Sequence, residues 1–270
     1  MAQFDSRLFD GVRAVVLDGD GVLWRGSAPL PGISDFFGLL ERLGIPFVLA
    51  TNNSTRMVED YVRKLEGLGI QAQPSNIVTS ATATAAYLKA TYGEDLAVHI
   101  VGEAGLHQIL LEAGYANQMS RADVVVAGLD RDLTYEKVRR AAHFILNGAV
   151  FVGTNGDRTF PTPGGLAPGA GAVLAAIQTT CGREPIVIGK PQPTMFAMAL
   201  RSLNVAPEEA LMIGDRLDTD ILGAQRAGLR TALVMCGVTD PETLAASKIQ
   251  PDAVFKDLLE VATQWHEVRP

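Results

Sequence analysis

Cysteine is scarce in this chain. There are two among 270 residues, Cys181 and Cys236, too few for a disulfide framework and without metal-type spacing. Both read as packing residues with reduced thiols. A basic excess is lacking too: 23 Lys+Arg stand against 30 Asp+Glu, a net charge of −7, which argues against a nucleic-acid surface. The one short basic cluster, Arg139 and Arg140, reads as a solvated helix face. No apolar run approaches the roughly 20 residues needed to span a bilayer. The first residues, MAQFDSRLFDG, are too polar and acidic for a secretory signal. The expectation is a cytoplasmic protein with neither a nucleic-acid nor a membrane partner. Internal repeats and low-complexity linkers are absent, and His99, His107, His143 and His266 lack ligand spacing, so all four read as structural or exposed.

What is present is a regular alternation. A hydrophobic content of 47% with 20% charged residues is that of a globular chain, long enough for one large domain or two ordinary ones. Short β-branched runs alternate with amphipathic segments, the pattern of an α/β fold with a parallel sheet. Strands are expected at Ala14–Leu17, Pro46–Ala50, Ala210–Ile213, Thr231–Met235 and Ala253–Phe255. Helices are expected near Ile33–Leu43, Arg56–Leu68, Thr194–Leu203 and Ile221–Ala227, with another at the C-terminal end. The intervening segment has strands of its own, Val98–Val101, Val124–Ala127 and Val150–Gly153. Its helices fall near Thr82–Ala90, Leu106–Glu112 and Tyr135–Leu146, and Gly169 to Gly171 open another. At about a hundred residues this segment can hold its own core, so it reads as a second domain inserted into the first. The expected division is 1–80 and 186–270 for the outer domain and 81–185 for the insertion. The glycine- and proline-rich stretch TNGDRTFPTPGGLAPGAGA within it reads by composition as a surface connection.

Asp18 and Asp20 carry the strongest chemical signal, in the stretch AVVLDGDGVLW. Ala14–Leu17 reads as a buried parallel strand, and carboxylates at the C-terminal end of such a strand face the crevice where open α/β sheets bind ligands. Residues two apart point to one side of a strand, and paired carboxylates repel unless a cation or a shared proton intervenes. The pair therefore points to a hard metal ion, to acid–base work, or to both. Taken alone, Asp-Gly-Asp-Gly is equally good turn chemistry.

Three further sites stand at expected strand ends. FVLATNNS ends in Thr51, Asn52 and Asn53, whose hydroxyl, amides and neighbouring backbone N–H groups suit a phosphate; the same residues also suit a helix N-cap. In VIGKPQP, Lys190 follows an apolar strand, where its ammonium would neutralise a carboxylate and a phosphoryl group as a point charge, although a loop lysine in water is the plainer alternative. LMIGDRLDTDI supplies Asp215 directly after a strand, Asp220 opening the next helix, where its charge also complements the dipole, and Asp218 as an exposed turn acid.

Asp-x-Asp, then Thr-Asn-Asn, then Lys, then Gly-Asp-x4-Asp, each ending a strand, resembles the haloacid dehalogenase-like superfamily of phosphotransferases. DGDGVLWRG, TNNS, GKP and GDRLDTDI occur in family order, so the resemblance covers almost the whole chain. It is closest to the subgroup of 4-nitrophenyl, phosphoglycolate and pyridoxal phosphate phosphatases. The stretch between Asp20 and Thr51 is too short for a folded cap, and the long insertion lies between Thr51 and Lys190, where this subgroup carries a large α/β cap. Dehalogenase relatives lack the second aspartate, so Asp20 argues for phosphoryl chemistry. The implied fold is α/β, a Rossmann-like doubly wound parallel-sheet core with an inserted α/β cap domain.

The resemblance implies roles that the chemistry of these residues can support. Asp18 is the nucleophile, forming an aspartyl-phosphate, and Asp20 the acid and then the base. Mg2+ is held by the carboxylates of Asp18 and Asp215 and by the main-chain carbonyl of Asp20. Asp220 orients water or Lys190. Thr51 and Asn52 bind phosphoryl oxygens, Asn53 supports their loop or the acid, and Lys190 offsets the charge of Asp18 and the phosphate. In the cap, loops near Leu129–Leu133 and Asn155–Gly165 are implied to lie over the site, with Asn155, Asp157 and Arg158 as candidate substrate contacts. The expected substrate is a small phosphorylated metabolite, and the resemblance also allows a homodimer through the cap. The principal alternative is a non-enzymatic phosphoacceptor of receiver-like chemistry. Receivers place the phosphorylated aspartate on a later strand and carry no such insertion.

Overall fold

A computed structural model of the chain describes residues 6–162 and 164–269. The apolar runs that end in candidate residues form the centre of a six-stranded sheet, in the order Ala253–Phe255, Arg230–Val234, Ala210–Gly214, Ala14–Leu17, Phe47–Thr51, Ile77–Thr79. Ala14–Leu17, Phe47–Thr51 and Ala210–Gly214 are buried at every position. That explains why they lack polar alternation: a parallel strand covered on both faces has no wet side. The first strand pairs in parallel with Ala210–Gly214 on one side and with Phe47–Thr51 on the other. The chain thus leaves the first strand in both directions, which puts a topological switch point beyond the carboxyl ends of these strands. Leu17 lies level with Ile213 and with Leu49, so the residues that follow, Asp18, Asp215 and Thr51, emerge at one edge.

Helix Ile33–Leu43 buries Ile33, Phe36, Leu39 and Leu40 along one stripe. Gly44 ends it in a left-handed conformation, returning its N–H to Glu41 and Leu40, the αL cap for which glycine carries no Cβ penalty. The C-terminal helix Leu258–Val268 packs beside it, and Trp265 stacks on Phe9 with ring centroids 4.5 Å apart.

The chain divides into two compact units. The first gathers the chain up to Thr51, Tyr61–Val78 and the chain from Lys190 on; the second gathers Asn52–Asp60 and Thr79–Gly189. The second unit has a four-stranded parallel sheet, in the order Ile186–Val187, Val150–Gly153, Val124–Ala127, Val98–Val101. Its core joins Val125, Phe151, Phe144, Val173 and Ile177, where helix Tyr135–Leu146 packs against helix Ala170–Cys181.

Several elements differ from the sequence expectation. The glycine- and proline-rich stretch is not a plain connection, because Thr159–Thr162 and Gly165–Pro168 pair as an antiparallel hairpin. Gly165 has a φ of +110°, and Thr162 Oγ1 donates to its carbonyl at 2.7 Å, so the turn is closed by chemistry that composition conceals. Pro163, in the stretch expected over a site, lies outside the described residues. The three-residue strand Ile77–Thr79 and the ribbon Trp24–Arg25/Ala28–Pro29 are too short to show a period. Among the described residues no helix is long and apolar enough to cross a membrane.

His99 is buried in the second unit, 4% exposed, with Nδ1 2.7 Å from the Gln118 carbonyl. Burial holds its pKa below the ordinary value, so between the two values the unfolded chain binds more protons than the folded one. Stability should therefore fall as pH drops through about 6.5, the free histidine value. His99→Gln is expected to make the urea midpoint less dependent on pH between 5 and 7, measured by circular dichroism; an unchanged slope would refute the assignment.

Candidate active site

The loop after the first strand is built to present two acids. Gly19 carries no side chain because the Trp24 indole lies against it, where a Cβ would sit 2.7 Å from the ring. The Gly19 carbonyl accepts the N–H groups of Leu23 at 2.9 Å and Trp24 at 3.2 Å, folding the chain back on itself. Asp18 is thereby left buried at the strand end, and Asp20 is exposed.

Lys190 is 2% exposed and reaches three oxygens. Its Nζ donates to Asp18 Oδ1 at 2.6 Å and to the Ala50 carbonyl at 2.8 Å, and forms an ion pair with Asp220 Oδ1 at 2.7 Å. Burial disfavours its charge, but Asp18 and Asp220 outweigh that and hold its pKa above the ordinary lysine value. The alternative of a loop lysine in water does not describe it.

The Gly-Asp-x4-Asp spacing has a local cause. Leu217–Ile221 forms a π-type turn that carries Asp220 back over Gly214, where any Cβ would overlap the Asp220 side chain. Asp220 Oδ2 then accepts the backbone N–H groups of Asp215 at 3.2 Å and Arg216 at 3.1 Å. Asp218 points away and pairs with Arg216 at 2.9 Å. Asp220 is therefore buried in a turn of its own, not simply placed on the first turn of helix Leu222–Arg226.

The result is a buried cluster in which Asp18, Asp215 and Asp220 each offer an oxygen, all within 4.8 Å of one another. Burial pushes the Asp18 carboxyl up to about 7 against the pull of Lys190, with Asp220 and then Asp20 adding to the rise. Burial also lifts Asp215 well above the usual carboxyl range, and Asp220 and Asp18 add to it. Three carboxylates facing one ammonium leave an excess negative charge that a buried site cannot hold uncompensated. Asp215 Oδ2 accepts the Val238 N–H at 2.7 Å, while Asp215 Oδ1 is buried with no hydrogen-bond partner among the described residues. An all-oxygen donor set with an excess of negative charge and an orphaned, inward carboxylate oxygen fits a hard divalent cation.

The other sequence candidates are divided between the units. Thr51 closes its strand in the first unit and is 4% exposed. Asn52 and Asn53 belong to the second unit, and the following helix begins only at Val58, so neither caps it. Asn53 Oδ1 instead accepts the Thr55 N–H and hydroxyl, both at 2.8 Å, an Asx turn. Within the second unit Asn52 Nδ2 donates to Asp157 Oδ1 at 3.0 Å, and Asn155 Nδ2 donates to the Asn52 carbonyl at 2.8 Å. Asp157 N–H donates in turn to Asn155 Oδ1 at 3.1 Å, so Asn52, Asn155 and Asp157 form one hydrogen-bonded group. Arg158 is exposed. Sequence reasoning missed the segment Cys236–Thr239, which lies against Asp215; its one sequence signal is Gly237, three residues after the end of strand Arg230–Val234. Burial raises the Cys236 thiol above its ordinary value.

Comparison with known proteins finds relatives along almost the whole chain. Residues 15–116 match the haloacid dehalogenase-like hydrolase family and residues 187–261 a second family described as HAD-hydrolase-like. An acid sugar phosphatase of Staphylococcus aureus is 37% identical over 253 residues, covering 93% of this chain and 97% of its own. The crystal structure of a 4-nitrophenylphosphatase from Thermotoga maritima superposes with a TM-score of 0.91 at 33% identity, over 95% of this chain and 98% of that one. A thermostable 4-nitrophenylphosphatase (NPPase) double mutant from Geobacillus stearothermophilus gives 0.86 at 40% identity, over 93% and 98%.

Lys190→Met strands two buried carboxylates and is expected to cost roughly 3–5 kcal/mol of stability, read from urea denaturation. Adding Asp220→Asn should recover part of that loss. A cost below about 1 kcal/mol, the range of exposed pairs, would show that the ammonium is not the counter-charge.

Proposed function

The chain belongs to the haloacid dehalogenase-like hydrolases and is a phosphatase; from that premise we propose that it is Mg2+-dependent and hydrolyses a small phosphorylated metabolite through an aspartyl-phosphate on Asp18. The observation that carries this reading is the buried cluster of Asp18, Asp215 and Asp220 around Lys190. Asp18 and Asp215, with the main-chain carbonyl of Asp20, would hold the cation. Its chemistry there is to neutralise phosphate oxygens and keep Asp18 ionised.

In the first step an Asp18 carboxylate oxygen attacks phosphorus, an O–P bond forms, and the bond to the leaving oxygen breaks. Asp20 delivers the proton to that oxygen. In the second step Asp20 takes a proton from water as the water attacks phosphorus, the acyl phosphate bond breaks, and Asp18 is regenerated. The exposure of Asp20 supports a proton-transfer role, because it lets the carboxyl exchange with solvent between steps. Lys190 holds Asp18 Oδ1 in place and offsets its charge, preorganised electrostatics of the kind that dominates phosphoryl transfer. Thr51 and Asn52 are assigned to phosphoryl oxygens, Asn53 to their loop, and Asp220 to fixing Lys190.

The insertion at 81–185 is assigned to substrate selection, with Arg158 as its exposed candidate contact. The relatives named for sugar phosphates make these the first substrates to try, and a homodimer through the insertion belongs to the same proposal. Repeated turnover separates this reading from a phosphoacceptor, which stops after one transfer.

With 4-nitrophenyl phosphate and Mg2+ the protein is expected to complete many cycles, and EDTA should abolish them until Mg2+ is restored. Asp18→Asn should remove turnover and leave the circular dichroism spectrum unchanged, while Asp20→Asn should lower kcat by about 100- to 10,000-fold, the usual contribution of a general acid–base. Retained activity in Asp18→Asn, with deamidation excluded by mass spectrometry, would sink the nucleophile assignment. A phosphate-release screen over sugar phosphates, phosphoglycolate, pyridoxal phosphate and nucleotides would identify the substrate.

A further inference from the structure

The segment that follows strand Arg230–Val234 has no part in the steps above, yet it surrounds Asp215. Val238 N–H donates to Asp215 Oδ2 at 2.7 Å, and Thr239 N–H donates to the Asp215 carbonyl at 3.2 Å. A Cβ on Gly237 would overlap the Asp215 carboxyl, and so would one on Gly21. The carboxyl is thus wedged between two glycine backbones with Oδ2 already occupied, which leaves Oδ1 turned to the interior without a protein partner among the described residues. Cys236 ties this segment down at its start. Its Sγ donates to the Gly21 carbonyl at 3.3 Å, and its own carbonyl accepts Arg25 Nη2 at 2.7 Å. Gly21 follows Asp20 directly, so the thiol links the loop that carries the two acids to the segment that clamps the third.

We propose that Cys236 is a positioning residue: its S–H bond to Gly21 locks the Cys236–Thr239 segment in place and so aims Asp215 Oδ1 at the cation. This rests on the Mg2+ reading above. A packing role alone would be filled by any side chain of similar size. The positioning role needs a donor, so serine should replace cysteine and valine should not.

The test is Mg2+ binding to the full-length, chelator-stripped protein by isothermal titration calorimetry, without substrate, with melting temperatures measured alongside. Cys236→Val is expected to weaken Mg2+ binding roughly tenfold, the lower end of what supporting partners of metal ligands contribute. The concentration for half-maximal activation should rise by the same factor, and KM at saturating Mg2+ should stay within about twofold. Cys236→Ser should bind as the wild type does. Arg25→Ala, a change at an exposed residue that removes the second tether, should weaken binding in the same direction and decides the matter if Cys236→Val fails to fold. Wild-type Mg2+ affinity in both Cys236→Val and Arg25→Ala would overturn the proposal, as would equal losses in the serine and valine variants. Failure of the wild-type protein itself to bind Mg2+ would instead overturn the cation reading, and this one with it.

Discussion

A single buried ammonium organises the first unit. Lys190 lies among Asp18, Asp220 and the Ala50 carbonyl at 2.6–2.8 Å, and each contact belongs to a different part of the sheet's carboxyl edge. Asp18 follows the central strand, Ala50 lies in the next one, and Asp220 sits in the turn after Ala210–Gly214. Without the lysine, two carboxylates would be buried with no counter-charge, at a cost of about 3–5 kcal/mol, as much as fully burying two leucines contributes. The arrangement does not reach neutrality even so, because Asp215 adds another carboxylate to the cluster. That residual negative charge suits a hard cation, and burial, with the neighbouring carboxylates adding to it, lifts the Asp18 and Asp215 carboxyls above their ordinary range.

Close backbone approach is the second constraint, and it depends on the first. Gly214 lies under Asp220, Gly21 and Gly237 lie against Asp215, and Gly19 lies under Trp24. In each case the glycine is there because a charged or aromatic side chain fills the space a Cβ would take. The glycines of DGDG are therefore explained only partly by turn chemistry. Gly21 does have a φ of +89°, but the Asp215 carboxyl at its Cα would exclude other residues whatever the dihedral. At Gly21 the turn conformation and the close approach to the Asp215 carboxyl belong to one structure.

Much of this was legible one element at a time. AVVL, FVLAT and ALMIG showed no polar alternation because both faces of their sheet are covered, and the residues after them stand at its carboxyl edge. Elements with little periodicity were opaque: Ile77–Thr79 is three residues long, and the hairpin Thr159–Thr162/Gly165–Pro168 is hidden in a composition typical of loops. The same holds for Asn155 and Asp157. Their types suit a ligand, but their hydrogen bonds to Asn52 depend on a chain path that no local pattern reveals. Cys236 was equally silent, since a lone cysteine after a strand is ordinary packing by every local rule.

The sequence by itself determined the family, the α/β class and the order in which acids, hydroxyl and lysine leave their strands, because apolar runs and strand-end residue types are local properties. Only the tertiary structure decided which oxygens are occupied and which are free. Asp18 and Lys190 are 172 residues apart in the chain, and Gly21 and Cys236 are 215 apart. A carboxylate's charge balance is the sum over everything folded around it, so no window of sequence contains it. Asp215 shows the difference: its position after a buried strand could be read directly, but that Oδ2 is held by Val238 while Oδ1 faces inward unpartnered among the described residues follows from two glycine backbones that meet only in the folded chain.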